Sequence, residues 1–478
     1  MSPHGFSEAT GWLPDFLYRS GRFETGIAMF ADANGRISRF SSAPQDLAAA
    51  RRLHRRAILP GMVNAHSHSF QRAIRGRTEH RTTLGRDTFL GRDTFWTWRE
   101  AMYHAANSLS PEDIRVVARM AFLEMLASGI TAVGEFHYLH HAPNGSFYEN
   151  PNLLGELVMQ AAQETGIRIA LQRTAYVRAG WRKDPNPGQA RFITPRVEDF
   201  IAHTEALRAT AARLYSSDYA WVTVAPHSVR AVPLDYLREI VGWARGEGMK
   251  VHTHVSEQPA EIEACKAEYG TRPIELLHRS ELLNDGFTGI HAIHITPDEI
   301  EFLAKAGSRI CACPTTERNL GDGIGPADLW TERGVPTCYG SDSNMQIDLL
   351  EDARELEYHL RLKRIERAVL APDLNREALA ASLFAHATQS GAESIGASGG
   401  SLEEGRPADF FAVDLDDLSI AGAGQSALLT NIVFSAARTA VKDVWVAGKP
   451  LIVAGRHKLQ EEIVRQFDNV QRRLWSTV

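Results

Sequence analysis

The sequence predicts an α/β protein: a (β/α)8 TIM barrel carrying a small β-sandwich domain built from both ends of the chain. Three observations predict it. Between about residues 60 and 400, short β-branched stretches alternate with amphipathic helical segments, mostly without a hairpin signal between them. There are eight such stretches, the number that closes a parallel barrel. Both termini, by contrast, read as strand and turn.

Residues 1–59, expected to form the N-terminal part of the small domain, carry alternating stretches around GRFETGIAMFADANGRISRF. The first barrel strand follows as AILPGMVNAHSH, broken only by Pro60 and Gly61. A well-marked helix comes next: Ser110 as N-cap, Pro111 at the first position, Asp113 in the first turn, the apolar face of VVARMAFLEML, and Gly129 as the stop. TAVGEFHY, RIALQRTAY, WVTVAPHS, KVHTHVSE, FTGIHAIHI, RICACP and VPTCYGSD are the remaining strands, each after a helical stretch. The barrel is expected over 60–400. From 401 to 478, ADFFAVDLDD and AVKDVWVAGKPLIVAGR return to the strand-and-turn style and are expected to complete the small domain. A doubly wound open sheet is the alternative, but a barrel requires chemistry-bearing groups at the C-terminal ends of its strands, which is where they fall. GRDTF occurs twice, at 85–89 and 91–95, and is expected in a loop over the barrel mouth.

Composition narrows the function. A chain of 478 residues with 44% hydrophobic residues can bury a large core, and a net charge of −6 with dispersed basic residues offers no footprint for nucleic acid. No apolar run is long enough to span a membrane, and the first residues lack the pattern of a secretory signal, so a cytoplasmic protein is expected. The expected partners are a small-molecule substrate and a second copy of the chain in a homodimer, with no nucleic acid and no membrane. Cys265, Cys311, Cys313 and Cys338 are too few and too clustered for a disulfide framework and read as small buried hydrophobes.

VNAHSHSF (63–70) places two histidines one residue apart at the end of the first strand. Side chains alternate faces along a strand, so His66 and His68 project to the same side and can share a ligand. A hydrolytic zinc site takes three or four nitrogen or oxygen ligands and keeps one position for water, whose pKa it lowers toward about 7. His254, ending strand five, and Asp342, ending strand eight, complete that set, so the expected cofactor is one divalent metal per chain, Zn2+. Singly, Asp342 could be a turn residue and His254 a hydrogen-bonded core histidine; their joint placement at strand ends favours the metal. HTHVSE offers both His252 and His254 on one strand face. Glu257 decides between them, because a carboxylate three residues beyond the ligand can lean over the water, take its proton and later deliver it to a leaving group. His254 is therefore assigned to metal and His252 to packing or to supporting the ligands from behind. On strand six, His291 rather than His294 is expected to orient the water or polarise the substrate.

The order P-G-x-V-N-x-H-x-H, then H-x-x-E, a histidine on strand six, S-D on strand eight and a closing G-S-L-x-E-G-x-x-A-D-F (400–410) resembles the amidohydrolase superfamily in its deaminase branch, over essentially the whole chain. The resemblance implies a distorted (β/α)8 barrel, one divalent metal, usually zinc, and hydroxide attack on an amidine-like or ring carbon to expel ammonia. A cytidine-type deaminase is excluded, since no P-C-x-x-C accompanies an H-x-E. Within the branch, HSHSFQRAIRGRTEH, DTFWTWREAMY, EFHYLHH, APHSVRAV and CPTTERNLGDG are similar to the enzymes that deiminate N-formimino-L-glutamate in histidine degradation.

That similarity implies Glu257, His291 and Asp342 as catalytic groups, hydrolysis to N-formyl-L-glutamate and ammonia, and a substrate with two carboxylates held by Gln71, Arg92, Tyr138, His227 and Arg230. The doubled GRDTF leaves either Arg86 or Arg92 for the family's pocket arginine. Arg230, three residues past His227, could fork one carboxylate with its guanidinium. A ring deaminase acting on a purine or adenosine-like substrate is the alternative. It would share the metal residues but line its pocket with base-reading amides and aromatics. A non-enzymatic binding protein on the same barrel is disfavoured by Glu257 beside an intact ligand set.

Overall fold

The structure, a computed structural model, describes residues 10–81 and 93–476. Its centre is an eight-stranded parallel sheet in sequence order: β6 (Met62–Ser67), β7 (Ile130–His137), β8 (Arg168–Ala175), β9 (Ala220–Pro226), β10 (Val251–Val255), β11 (Phe287–His291), β12 (Arg309–Ala312) and β13 (Thr337–Tyr339). All eight expected strands are present. Every residue of β7 and β8 is buried, as a parallel sheet covered on both faces requires. The helix Pro111–Ala127 begins as expected, with the Ser110 hydroxyl accepting from the Asp113 amide and Pro111 at its first position.

The barrel closes between its first and last strands through one short seam. Asp342 N–H donates to the His66 carbonyl at 3.0 Å, and His68 N–H donates to the Asp342 carbonyl at 2.9 Å. Asn64 reinforces it, with its side-chain oxygen accepting from Ser341 N–H at 3.0 Å. Gly340 is required there: a Cβ on it would lie 2.6 Å from the His66 Cβ and 2.8 Å from the His66 carbonyl oxygen. The seam and the functional cluster are thus the same residues.

The termini build one nine-stranded mixed sheet from β1 (Thr10–Arg19), β2 (Arg22–Glu24), β3 (Ala28–Ala31), β4 (Ile37–Ser41), β5 (Arg51–Pro60), β14 (Phe410–Asp414), β15 (Val441–Val446), β16 (Lys449–Val453) and β17 (Arg456–His457), with β14 paired to β5. It wraps over its own core: Trp12 meets Phe410 edge-on at 5.0 Å, Phe410 stacks on Trp445 at 4.6 Å, and Ala408 N–H bonds to the Gly35 carbonyl in the β3–β4 turn. A buried bidentate pair links this sheet to the barrel, Arg168 to Asp409 at 2.6 and 3.0 Å.

The expectation for 401–478 needs correction. Only its strands join the small sheet; the helices Leu428–Ser435 and Gln460–Trp475 lie on the barrel. Arg354 of a barrel helix donates to the Val433 and Ala436 carbonyls, and Ile463, Phe467, Val470 and Leu474 bury one helical stripe. That spacing is helical, which the strand-and-turn reading of the terminus passed over. The four cysteines are free and buried. No helix among the described residues is long and apolar enough to cross a membrane.

Candidate active site

The side chains singled out in the sequence gather at the C-terminal ends of the barrel strands. His66 lies in β6 and His68 just beyond it, with ring centroids 4.6 Å apart; His254 lies in β10, 4.9 Å from His66. Asp342 Oδ1 sits 3.1 Å from His66 Nε2 and 3.2 Å from His68 Nε2. The ligand atoms of these four buried residues all lie within 4.8 Å of one another.

This cluster fits a divalent metal. His68 Nδ1 is tied to the Phe136 carbonyl at 2.9 Å and His254 Nδ1 to the His227 carbonyl at 3.1 Å. With Nδ1–H donated outward, each Nε2 is left unprotonated and free to ligate. Burial pushes His66 down to about 3 and His254 well below the usual histidine range, so both stay neutral, the form that binds metal. Burial alone would raise Asp342, but the His66 and His68 rings beside it hold it well below the usual carboxylate range, ionised and able to ligate. His252 points elsewhere: its Nε2 meets the Ser394 carbonyl at 2.9 Å and its Nδ1 the Gln172 amide at 3.1 Å.

Beside the cluster stand Glu257 and His291. Glu257 Oε1 lies 3.7 Å from His291 Nε2, which is 3.9 Å from Asp342 Oδ2. Burial raises the Glu257 carboxyl, which suits a group that must both take and return a proton. Burial works against a charged His291, yet Glu257 and the neighbouring carboxylates push it up to about 10. His294 is turned away, its Nε2 on the Asp322 carbonyl at 2.8 Å. The backbone here is held in unusual conformations: Ser256, His291, Ala292 and Asp342 have φ of +53°, +69°, +50° and +43°. Positive φ in non-glycine residues costs about 1–3 kcal/mol each and persists where surrounding contacts over-determine it.

A cleft opens above the cluster, lined by His68, His254, Glu257, His291 and Asp342 and by Gln71, Tyr138, His227 and Arg230. Gln71 donates to the Tyr138 oxygen at 2.9 Å, while its own Oε1 is buried without a partner. Arg86 and Arg92 lie outside the described residues. Arg99 lines the cleft, a residue that reasoning from the sequence missed. Its guanidinium sits 4.5 Å from the Trp96 ring and 5.4 Å from the Tyr103 ring, and its Nε is buried without a hydrogen-bond partner. Arg230 Nη1 is in the same condition. The cleft therefore offers two arginines with unused buried N–H groups above a metal-binding floor.

The sequence matches the amidohydrolase family over residues 57–451. The chain belongs to that family. The formimidoylglutamate deiminase of Pseudomonas aeruginosa is 37% identical over 415 residues, covering 87% of this chain and 88% of that protein. A 5-methylthioadenosine/S-adenosylhomocysteine deaminase of Natronomonas pharaonis is 28% identical over 399 residues, covering 83% of this chain and 81% of that protein. Among solved structures, an amidohydrolase from Brucella melitensis superposes with a TM-score of 0.87 at 33% identity, covering 97% of this chain and 99% of the other.

The amidohydrolase is a metal-dependent hydrolase of the deaminating kind. Arg99 had a sequence signal: Trp96, Arg99 and Tyr103 fall at i, i+3 and i+7 in DTFWTWREAMY, one face of the helix Phe95–Ser108. Tyr103, Tyr176 and Phe192 also line the cleft and carried no signal separating them from core aromatics.

Proposed function

We propose that this amidohydrolase converts N-formimino-L-glutamate and water into N-formyl-L-glutamate and ammonia. The observation that carries the proposal is the pair Arg99 and Arg230, which line the cleft above the metal cluster and each keep one buried nitrogen without a hydrogen-bond partner. A substrate with two carboxylates satisfies two guanidinium groups, and each pairing is a charge-assisted hydrogen bond in a largely water-free site. The identity to formimidoylglutamate deiminase supports the same substrate. A purine brings only neutral acceptors to these arginines, weaker partners for guanidinium than the two carboxylates.

His66, His68, His254 and Asp342 would hold one divalent ion, with Zn2+ proposed, and such an ion supplies Lewis acidity that makes water a nucleophile near neutral pH. Glu257 takes the proton of the attacking water, helped by its burial-raised affinity for protons. The water oxygen bonds to the formimino carbon while Glu257 passes the first proton to the terminal nitrogen; Glu257 then takes the remaining O–H proton and gives it to the same nitrogen, so that the C–N bond breaks, ammonia leaves and the C=O of the formyl group forms. His291 Nε2, between Glu257 and Asp342, orients the water and steadies charge on the reacting atoms. Gln71 donates to the Tyr138 oxygen, and the Tyr138 hydroxyl donates to Met102 Sδ at 3.8 Å, a weak acceptor that a substrate oxygen would replace. His227, kept neutral by burial and by Arg230, offers its ring to the same substrate.

Hydrolysis in ¹⁸O-water tests the proposal. The expected product is N-formylglutamate carrying one ¹⁸O in the formyl group, with one ammonia per turnover. Glutamate and formamide, from expulsion of the other nitrogen, would overturn it.

A further inference from the structure

The mechanism above gives no role to Glu317, the glutamate of CPTTER after β12. It is buried, and its Oε1 accepts from the Cys313 amide at 2.9 Å, at the start of the helix Pro314–Leu320. The same oxygen lies 3.3 Å from His291 Nδ1. The opposite ring nitrogen faces Glu257 at 3.7 Å and Asp342 at 3.9 Å. His291 thus has a carboxylate on each side, one facing the reacting atoms and one behind. Its backbone, with φ +69° followed by +50° at Ala292, fixes where the side chain starts but not how the ring is turned. An imidazole free to turn could present either nitrogen to the substrate.

We infer that Glu317 is a positioning residue of the reaction: it accepts Nδ1–H of His291 and so fixes the ring with Nε2 toward the water and substrate. This rests on the role given to His291 above. Glu317 is itself held by the Cys313 amide, so the orientation is passed from the helix start to the ring through two hydrogen bonds. The ligand atoms of His291, Cys313 and Glu317 also lie within 4.8 Å of one another, close enough for an ion. A second metal there would occupy Nδ1 and is the competing explanation.

A double-mutant cycle on the metal-loaded full chain separates these readings. Glu317→Ala is expected to lower kcat for N-formimino-L-glutamate ~10-fold or more, the direction seen when the group orienting a working histidine is changed. KM should stay within about two-fold and metal content near one ion per chain. Glu317→Gln, whose amide oxygen can accept from both N–H groups, should restore most of the lost kcat. His291→Asn should cost ~10²-fold or more. Adding Glu317→Ala to His291→Asn should cost nothing further, because Glu317 acts only through that ring. Should Glu317→Ala fail to bind metal, Glu317→Asp, one methylene too short for Nδ1, replaces it in the cycle.

Multiplying losses in the double variant would overturn the inference. So would unchanged kcat in Glu317→Ala, or two ions in the parent falling to one in that variant. Full activity in His291→Asn would instead strike the mechanism under "Proposed function", and the Glu317 inference would fall with it.

Discussion

Arg230→Met removes a guanidinium and leaves most of its apolar bulk in the cleft wall. In the parent, Arg230 Nη1 is buried with no partner, and its Cζ lies 5.9 Å from the Trp96 ring, so the group waits in a desolvated position. A substrate carboxylate docked there makes a charge-assisted hydrogen bond, and truncating one partner of such a buried pair costs about 2–5 kcal/mol. Arg99 lines the same cleft and still attracts the anion, which places the loss in the lower half of that range. At about 1.4 kcal/mol per tenfold, ~2–3 kcal/mol is a ~30- to 150-fold fall in kcat/KM. The assay is ammonia release from N-formimino-L-glutamate by the metal-loaded variant, beside a formimino amine lacking both carboxylates. The charged substrate should lose the full factor and the uncharged one almost none. An equal fall for both would refute the reasoning, because it would locate the damage in the loop after β9 and not in carboxylate binding.

Three further outcomes follow from the same geometry. His68→Ala, which removes a nitrogen from the four-residue cluster, should lose bound metal and activity together, as elemental analysis read beside turnover would show. Glu257→Gln keeps the shape but cannot carry the proton, so metal content should hold while kcat falls ~10²-fold or more. Asp409→Asn breaks the buried pair with Arg168 that joins the small sheet to the barrel, and should cost ~3–5 kcal/mol, seen as a lowered thermal midpoint with metal ligands intact.

The fold was legible because each barrel strand announces itself by a β-branched run after a helix with clear end signals, as Ser110, Pro111 and Gly129 do around one helix. Period-2 alternation put His66 and His68 on one side, and the structure brings their rings together. Alternation could not separate His252 from His254, since both share a face; what separates them is that His252 is consumed by Ser394 and Gln172, contacts from distant segments. Glu317 escaped notice for the same reason, because nothing local reveals that a helix-start glutamate after β12 will meet a histidine at the end of β11. The helix Gln460–Trp475 was legible and overlooked: its buried stripe has helical spacing, but it follows strands closely enough to be read as their continuation.

The central claim is that two arginines above a metal-binding floor select a doubly charged formimino substrate. The most direct test is kcat/KM of the zinc-loaded chain for N-formimino-L-glutamate against adenosine, S-adenosylhomocysteine and 8-oxoguanine under one set of conditions. The account predicts efficient ammonia release from N-formimino-L-glutamate, at least ~10³-fold above any of the purines, since none of them brings two carboxylates to the two arginines. Efficient turnover of a purine with none of N-formimino-L-glutamate would contradict it.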